Sequence, residues 1–139
     1  MKGFLVTLFL GFHMGVYRLS RGRLLGRLGK MDVLILTTRG RKSGQARSIP
    51  LTFFQDGGSM VIVGSNGGAA HHPGWVHNLR ARPEATVELR GRTIPVRAEE
   101  IPAGQAEPMW TRILIDAPIY GGYVKKTSRA IPLVRLTPV

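Results

Sequence analysis

The rhythm of hydrophobic positions changes near Gly29 and divides the chain in two. Before it, Gly3 to Val16 (GFLVTLFLGFHMGV) is nearly all apolar. In a helix Leu5, Phe9, Phe12 and Val16 share one stripe, and Arg18, Arg21, Arg23 and Arg27 follow. The run falls short of the about 18–20 residues that a membrane span needs. It also passes into Tyr17-Arg18-Leu19-Ser20-Arg21 without the small-residue cleavage site of a signal peptide. Residues 1–28 are therefore expected to form an apolar and basic helix. Such a helix lies at an anionic membrane surface, or packs on its own barrel or on a second subunit.

Beyond Gly29 the apolar runs are short or alternating and are separated by turn residues, the pattern of a strand meander over residues 29–139. Met31 to Thr38 predicts a buried strand, and Gln45 to Phe54 returns from the turn Arg39-Gly40-Arg41-Lys42-Ser43-Gly44 to make a hairpin. Asp56-Gly57-Gly58 leads into a strand over Ser59 to Ser65, and Gly91 separates Thr86 to Arg90 from Arg92 to Glu99. A last strand spans Ala130 to Leu136. Pro50 and Pro95 lack an N–H to donate, so bulges or strand edges are expected there. Short helices are predicted over Pro73 to Arg80, with proline at its start, and Ala103 to Ile115. The fold class is mainly β (α+β): one barrel or sandwich with an amino-terminal helix and short helices packed on it.

Composition narrows the chemistry. The absence of cysteine excludes disulfides, thiolate nucleophiles and thiolate-bound metals, so redox chemistry needs a borrowed cofactor. A net charge of +12 draws anions: nucleic acid, acidic lipid or a phosphorylated cofactor. The charge is local, because nine of the 20 basic residues lie between Arg18 and Arg47 and no acidic residue precedes Asp32.

The basic turn places two glycines among cationic side chains, with Arg47 a few residues on, a pattern suited to one anion held by backbone N–H groups and charge. It does not match the Walker A pattern G-x-x-x-x-G-K-[ST] and joins two strands rather than a strand and a helix. Taken alone it also fits a solvated hairpin. Gly64-Ser65-Asn66-Gly67-Gly68 closes a strand with small residues that would let a flat ring approach the backbone. His72-Pro73-Gly74-Trp75-Val76-His77-Asn78 opens a helix whose amino end favours phosphate. Trp75 and Asn78, three apart, share a helical face, for ring contact or for packing on the barrel. His71, His72 and His77 lack a carboxylate or cysteine to complete a zinc set, so no metal is expected. No G-x-S-x-G nucleophile motif occurs. So little catalytic machinery suits an enzyme whose cofactor carries the chemistry.

Together, T-T-R-G-R-K-S-G-Q-A-R-S-I-P-L, G-S-N-G-G-A-A-H-H-P-G-W-V-H-N-L and R-A-I-P-L-V resemble the deazaflavin-dependent nitroreductase family from about Tyr17 onward. That resemblance implies the split β-barrel, FMN-binding-like fold and the use of reduced coenzyme F420, with FMN as the alternative cofactor. It implies that Arg41, Lys42, Ser43, Gly44 and Arg47 hold the phosphate and acidic tail. Ser65, Asn66, Gly67 and Gly68 would line the deazaflavin, with Trp75 and Asn78 beside it. Tyr120 and Tyr123 fall on the substrate side, where either could donate a proton or hydrogen bond, as could Ser65. Three positions depart from the family's pattern: Asn66 where lysine is common, Gly74 where a bulkier residue is usual, and Thr52 where tyrosine is frequent. Substrate preference, nitroimidazole reduction included, does not transfer.

The implied activity is hydride transfer from F420H2 to an electron-poor small-molecule acceptor: a quinone, an activated enone or a nitro compound. The enzyme would be cytoplasmic, or peripheral on the inner face of the membrane, and a homodimer if the first helix packs on a second subunit. A non-catalytic carrier of cofactor or lipid is the competing reading, and a basic nucleic-acid-binding module is the third. The few aromatics are not interleaved with basic residues as base stacking requires, so no nucleic-acid partner is expected.

Overall fold

The computed structural model describes Met14, residues 27–28 and residues 31–139. The apolar stretch Gly3 to Val16, apart from Met14, and the basic residues that follow it up to Gly26 lie outside the described residues. Arg27 and Leu28, which fall within the segment expected to be helical, form a short strand, β1, instead.

Six further strands build the barrel: β2 (Met31–Arg39), β3 (Ala46–Asp56), β4 (Ser59–Val63), β5 (Glu84–Leu89), β6 (Arg92–Glu100) and β7 (Leu133–Pro138). They run in the order β2-β3-β4-β7-β6-β5, and β5 pairs back onto β2 to close the ring. Every pairing is antiparallel. Closure leaves few exposed edges, the usual difficulty of an antiparallel sheet. Among residues 31–139 three α-helices complete the fold: α1 (Gly74–Ala81), α2 (Ala103–Asp116) and α3 (Ile119–Lys126). This is a split barrel, as the resemblance implied.

Side-chain alternation sorts the apolar residues into two layers. Leu34, Leu36, Met60, Ile62, Val87, Val96, Val134 and Leu136 enter one cluster, which Trp75, Val76 and Leu79 of α1 plug. Val61, Val63, Phe54 and Leu133 face the other way and pack under Met109 and Ile113 of α2 and Tyr120 of α3. Each fully buried Leu, Ile or Val contributes about 1.5–3 kcal/mol. One helix therefore fills the barrel while two cover its wall, and the mouth between them is where a groove can open.

The hairpin read around the basic turn is β2–β3, in unbroken register from Asp32↔Phe53 to Arg39↔Ala46. Pro50 and Pro95 cause no bulge in that register or in β5–β6. Pro50 stands where β3 is paired on one side only, since β4 meets β3 from Phe54. Pro95 stands just before the β6–β7 ladder, which starts at Val96, with only its carbonyl engaged on that side, by the Val139 N–H. The last strand begins at Leu133, three residues later than expected, because residues 130–132 belong to the approach loop. Helix α3 was not predicted. Its Gly121-Gly122 pair has poor helix propensity. Burial of Tyr120, edge-to-face with Phe54 at 6.0 Å, supplies the packing that propensity lacks.

Candidate functional site

The basic turn, the β4 exit and the start of α1 meet at one mouth of the barrel. There a cavity of about 580 Å³ is lined by Arg41, Lys42, Ser43, Arg47, Asn66, His72, Trp75 and Asn78, among others. A second, of about 300 Å³, is lined by Leu51, Thr52, Val63, Ser65, Gly67, Tyr120 and Tyr123. Ile49, Asn66, Pro73 and Trp75 line both, so the two are ends of one groove.

At the first end the turn is held from below. The Arg41 N–H donates to Asn78 Oδ1 at 3.0 Å, and Asn78 Nδ2 donates to Thr38 Oγ1 at 3.1 Å. Gly40 N–H reaches Gln45 O, Gly44 N–H reaches Gly40 O, and Gln45 N–H reaches Ser43 Oγ. Most of the turn's amides are thus spent within the protein. The Gly40, Arg41 and Gly44 amides are therefore not available to an anion, and what these residues offer it is chiefly side-chain charge. None of the ion pairs among the described residues involves Arg41, Lys42 or Arg47. Three cations with no ion pair among the described residues thus stand beside the amino end of α1, where Gly74 and Trp75 line the cavity, an arrangement whose field favours an anion.

The second end is different. Ile49, Leu51, Val63 and Trp75 give it apolar walls, and Thr52, Ser65, Tyr120 and Tyr123 add hydroxyls. Tyr120 OH and Thr52 Oγ1 are hydrogen-bonded at 2.5 Å. Burial pushes the Tyr120 phenol above its ordinary pKa of 10.0, against the Thr52 hydrogen bond, which lowers it; Tyr123 adds to the rise. Tyr120 and Tyr123 stack edge-to-face at 5.7 Å. Ser65 is buried and lines this end, and its carbonyl is bonded to Arg129.

Of the residues singled out in sequence, the groove gathers Arg41, Lys42, Ser43, Arg47, Ser65, Asn66, Gly67, Trp75, Asn78, Tyr120 and Tyr123. Gly44 and Gly68 do not line it. A Cβ on Gly64 would lie 2.7 Å from Pro132 Cγ, and one on Gly68 would lie 3.0 Å from Lys126 Cβ and 3.1 Å from the Tyr123 carbonyl. These two glycines make room for the chain's own β7 approach and α3, not for a ring. Trp75 combines both readings made of it: it belongs to the barrel core and lines both ends of the groove.

Sequence reasoning missed Arg129. Its guanidinium donates to the carbonyls of Gly64, Ser65 and Ala69 and approaches His72 Nδ1 at 2.9 Å. Its carbonyl partners carry no side-chain signature; only its place in R-A-I-P marked it. His72 has its pKa lowered, first by burial and then by the charges of Arg80, Arg129 and His77. Among the described residues no cluster of three or more His, Cys, Asp or Glu could hold a metal.

A split barrel whose mouth joins a cationic end to an apolar, hydroxyl-bearing end defines a class: barrels that hold an elongated anionic cofactor with a planar head. Comparison with known proteins gives the family. The sequence model of the F420H(2)-dependent quinone reductases matches residues 11–138, and the chain belongs to that family of oxidoreductases. An F420H(2)-dependent quinone reductase of Mycobacterium tuberculosis (strain ATCC 25618 / H37Rv) is 36% identical over 134 residues, covering 92% of this chain and 89% of its own. The solved structure of an F420-H2 dependent reductase superposes with a TM-score of 0.68 at 32% identity, covering 75% of this chain and 92% of that one. A second solved structure, described as a domain-swapped dimer, gives 0.71 at 28% identity over 88% and 92%.

Proposed function

We propose that this protein uses F420H2 to reduce a quinone-type acceptor at the apolar end of the groove. Family membership supports the cofactor, and the groove's chemistry fits it. Arg41, Lys42 and Arg47 would hold the phosphate and acidic tail, and the walls around Trp75, Ser65, Asn66 and Gly67 would take the planar head. When bound, F420H2 supplies a hydride from C5. Reduction of a quinone to the hydroquinone consumes that hydride and one proton. Tyr120, Tyr123, Ser65 or water would deliver the proton or hydrogen-bond the carbonyl being reduced. A phenol whose pKa lies above 10.0 keeps its proton at neutral pH, so Tyr120 can act there as a hydrogen-bond donor. The protein's part is chiefly orientation and electrostatics.

The observation that carries this reading is the contiguity of the two ends through Trp75, Ile49, Asn66 and Pro73. The test is steady-state oxidation of F420H2 with menadione, an enone or a nitroaromatic as acceptor. The quinone is expected to give the highest kcat/KM. Binding without oxidation in the presence of any acceptor would make the protein a carrier. The apolar, basic amino end supports a peripheral membrane location suited to lipid-soluble quinones, which co-sedimentation with anionic vesicles tests. The domain-swapped relative supports a homodimer.

A further inference from the structure

The β4 exit is an unusual piece of backbone. Asn66, Gly67 and Gly68 follow one another with φ of 47°, 62° and 82°, all in the left-handed region. Glycine adopts it freely and asparagine tolerates it, but three in succession persist only where the surroundings over-determine them. The bonds inside the segment are few: Gly68 N–H to Ser65 O, Ala69 N–H to Asn66 O, and Asn66 Nδ2 to His71 O. Asn66 of this segment lines both ends of the groove and Gly67 lines the apolar end.

Arg129 is what holds it. Its Nε donates to Ala69 O at 2.9 Å, Nη1 and Nη2 both reach Gly64 O at 3.2 Å, and Nη2 reaches Ser65 O at 2.8 Å. Nη1 also meets His72 Nδ1 at 2.9 Å. A guanidinium has five N–H donors and no acceptor, and five contacts are made. The geometry also sets the state of His72. An arginine can only donate, so Nδ1 must accept, and the imidazole is neutral with its proton on Nε2. Arg129 forms no ion pair among the described residues, so its charge stays unneutralised beside that ring.

We propose that Arg129 is a positioning residue for the groove: through the carbonyls of Gly64, Ser65 and Ala69 it fixes the left-handed Asn66–Gly68 segment, whose Asn66 and Gly67 line the groove wall, and it holds His72 as a neutral Nε2–H donor at the anion end. The groups acting on His72 agree. Arg129 from the loop before β7 and Arg80 and His77 from α1 oppose its protonation, and Glu100 from β6 favours it. Arg41 and Lys42 share its cavity. A neutral donor among these cations binds an anion through its N–H without contributing a charge, so affinity there does not require His72 to be protonated on both nitrogens. That Nε2–H meets the cofactor's tail rests on the reading under Proposed function; the fixing of the wall and of His72 does not.

The test therefore begins on cofactor-free protein by NMR. In the wild type His72 should titrate below its ordinary 6.5. In Arg129→Ala its midpoint should rise towards that value, and the amides of Gly68 and Ala69 should lose hydrogen-exchange protection. The β4 amides of Val61 and Ile62 should keep theirs, which separates a local role from general destabilisation. A His72 midpoint or a Gly68 protection unchanged in Arg129→Ala overturns the proposal. If that variant does not fold, Arg129→Lys decides. Lysine keeps the charge but has three donors, so Gly68 and Ala69 should still lose protection, and retained protection overturns the proposal. F420 is then titrated. Arg129→Ala and His72→Leu should each weaken binding roughly tenfold, the loss of about one charge-assisted or buried hydrogen bond, and His72→Gln, which keeps a donor near Nε2, should recover most of it. A wild type that shows the NMR behaviour but binds no F420 refutes the cofactor reading and leaves the positioning role standing.

Discussion

Asn78 and Arg41 are 37 residues apart in sequence, and the Asn78 Oδ1 accepts the Arg41 backbone N–H at 3.0 Å from inside the barrel mouth. The same amide donates to Thr38 Oγ1, so one buried side chain ties α1 to the end of β2 and to the basic turn. Replacing it with leucine leaves the Arg41 N–H and the Thr38 hydroxyl without their partner, at about 1–3 kcal/mol for a buried group. Asn78→Leu should therefore lower the denaturant midpoint and weaken F420 binding, while Asn78→Asp, which keeps the acceptor for the Arg41 N–H, should retain more of the stability but still bind F420 weakly, because its carboxylate repels the anionic tail. Urea unfolding and fluorescence titration check the two effects separately.

The contact between Thr52 and Tyr120 gives a spectroscopic prediction. Burial raises the Tyr120 pKa and the Thr52 hydrogen bond opposes the rise, so Thr52→Val should raise it further. In an ultraviolet titration of tyrosinate, Tyr120→Phe should remove a phenol that ionises above 10.0. The folded pKa lies above the unfolded one. The associated stability is therefore fully present below pH 10.0 and is lost as pH rises through the folded value. Activity should show no falling limb from Tyr120 below that pH.

For His72 the sign reverses at the acid end. Its folded pKa is depressed below 6.5, so on acidification the unfolded chain takes up the proton first. Stability should fall as pH drops below 6.5 towards the folded value and then level off, and His72→Gln should flatten that slope. Thermal melts across the interval measure it; equal slopes in the two proteins would contradict the assignment.

Gly64 tests the packing beneath the groove. A methyl there would meet Pro132 Cγ at 2.7 Å and Val76 Cγ2 at 3.0 Å, both in well-packed surroundings. Gly64→Ala should cost about 1–3 kcal/mol through overpacking, with a lower Tm. Gly74→Ala, with open space around its Cβ, should leave Tm nearly unchanged or raise it.

How much of this was legible in sequence follows the range of the interactions. The β2–turn–β3 hairpin is a local pattern, apolar runs flanking charged residues and glycines, and it reads directly. Trp75 and Asn78 declare their shared face by helical spacing. Helix α3 was hidden because Gly121-Gly122 argues against helix, and the burial of Tyr120 that overrides this comes from β3. Gly64 and Gly68 announced that something comes close but could not say what; the neighbours are Pro132, Lys126 and Tyr123. Arg129 was least legible, since its carbonyl partners lie 60 to 65 residues away and any residue type supplies a carbonyl.

The central claim is that the cationic end of the groove anchors F420 while chemistry takes place at the other end. Fluorescence titration of the wild type, Arg41→Ala, Lys42→Ala and Tyr123→Phe with F420 and with FMN tests it most directly. The account predicts tighter binding of F420 than of FMN and a loss of roughly tenfold or more for each cation removed, with the affinity of Tyr123→Phe near that of the wild type. Undiminished F420 affinity in Arg41→Ala and Lys42→Ala would contradict it.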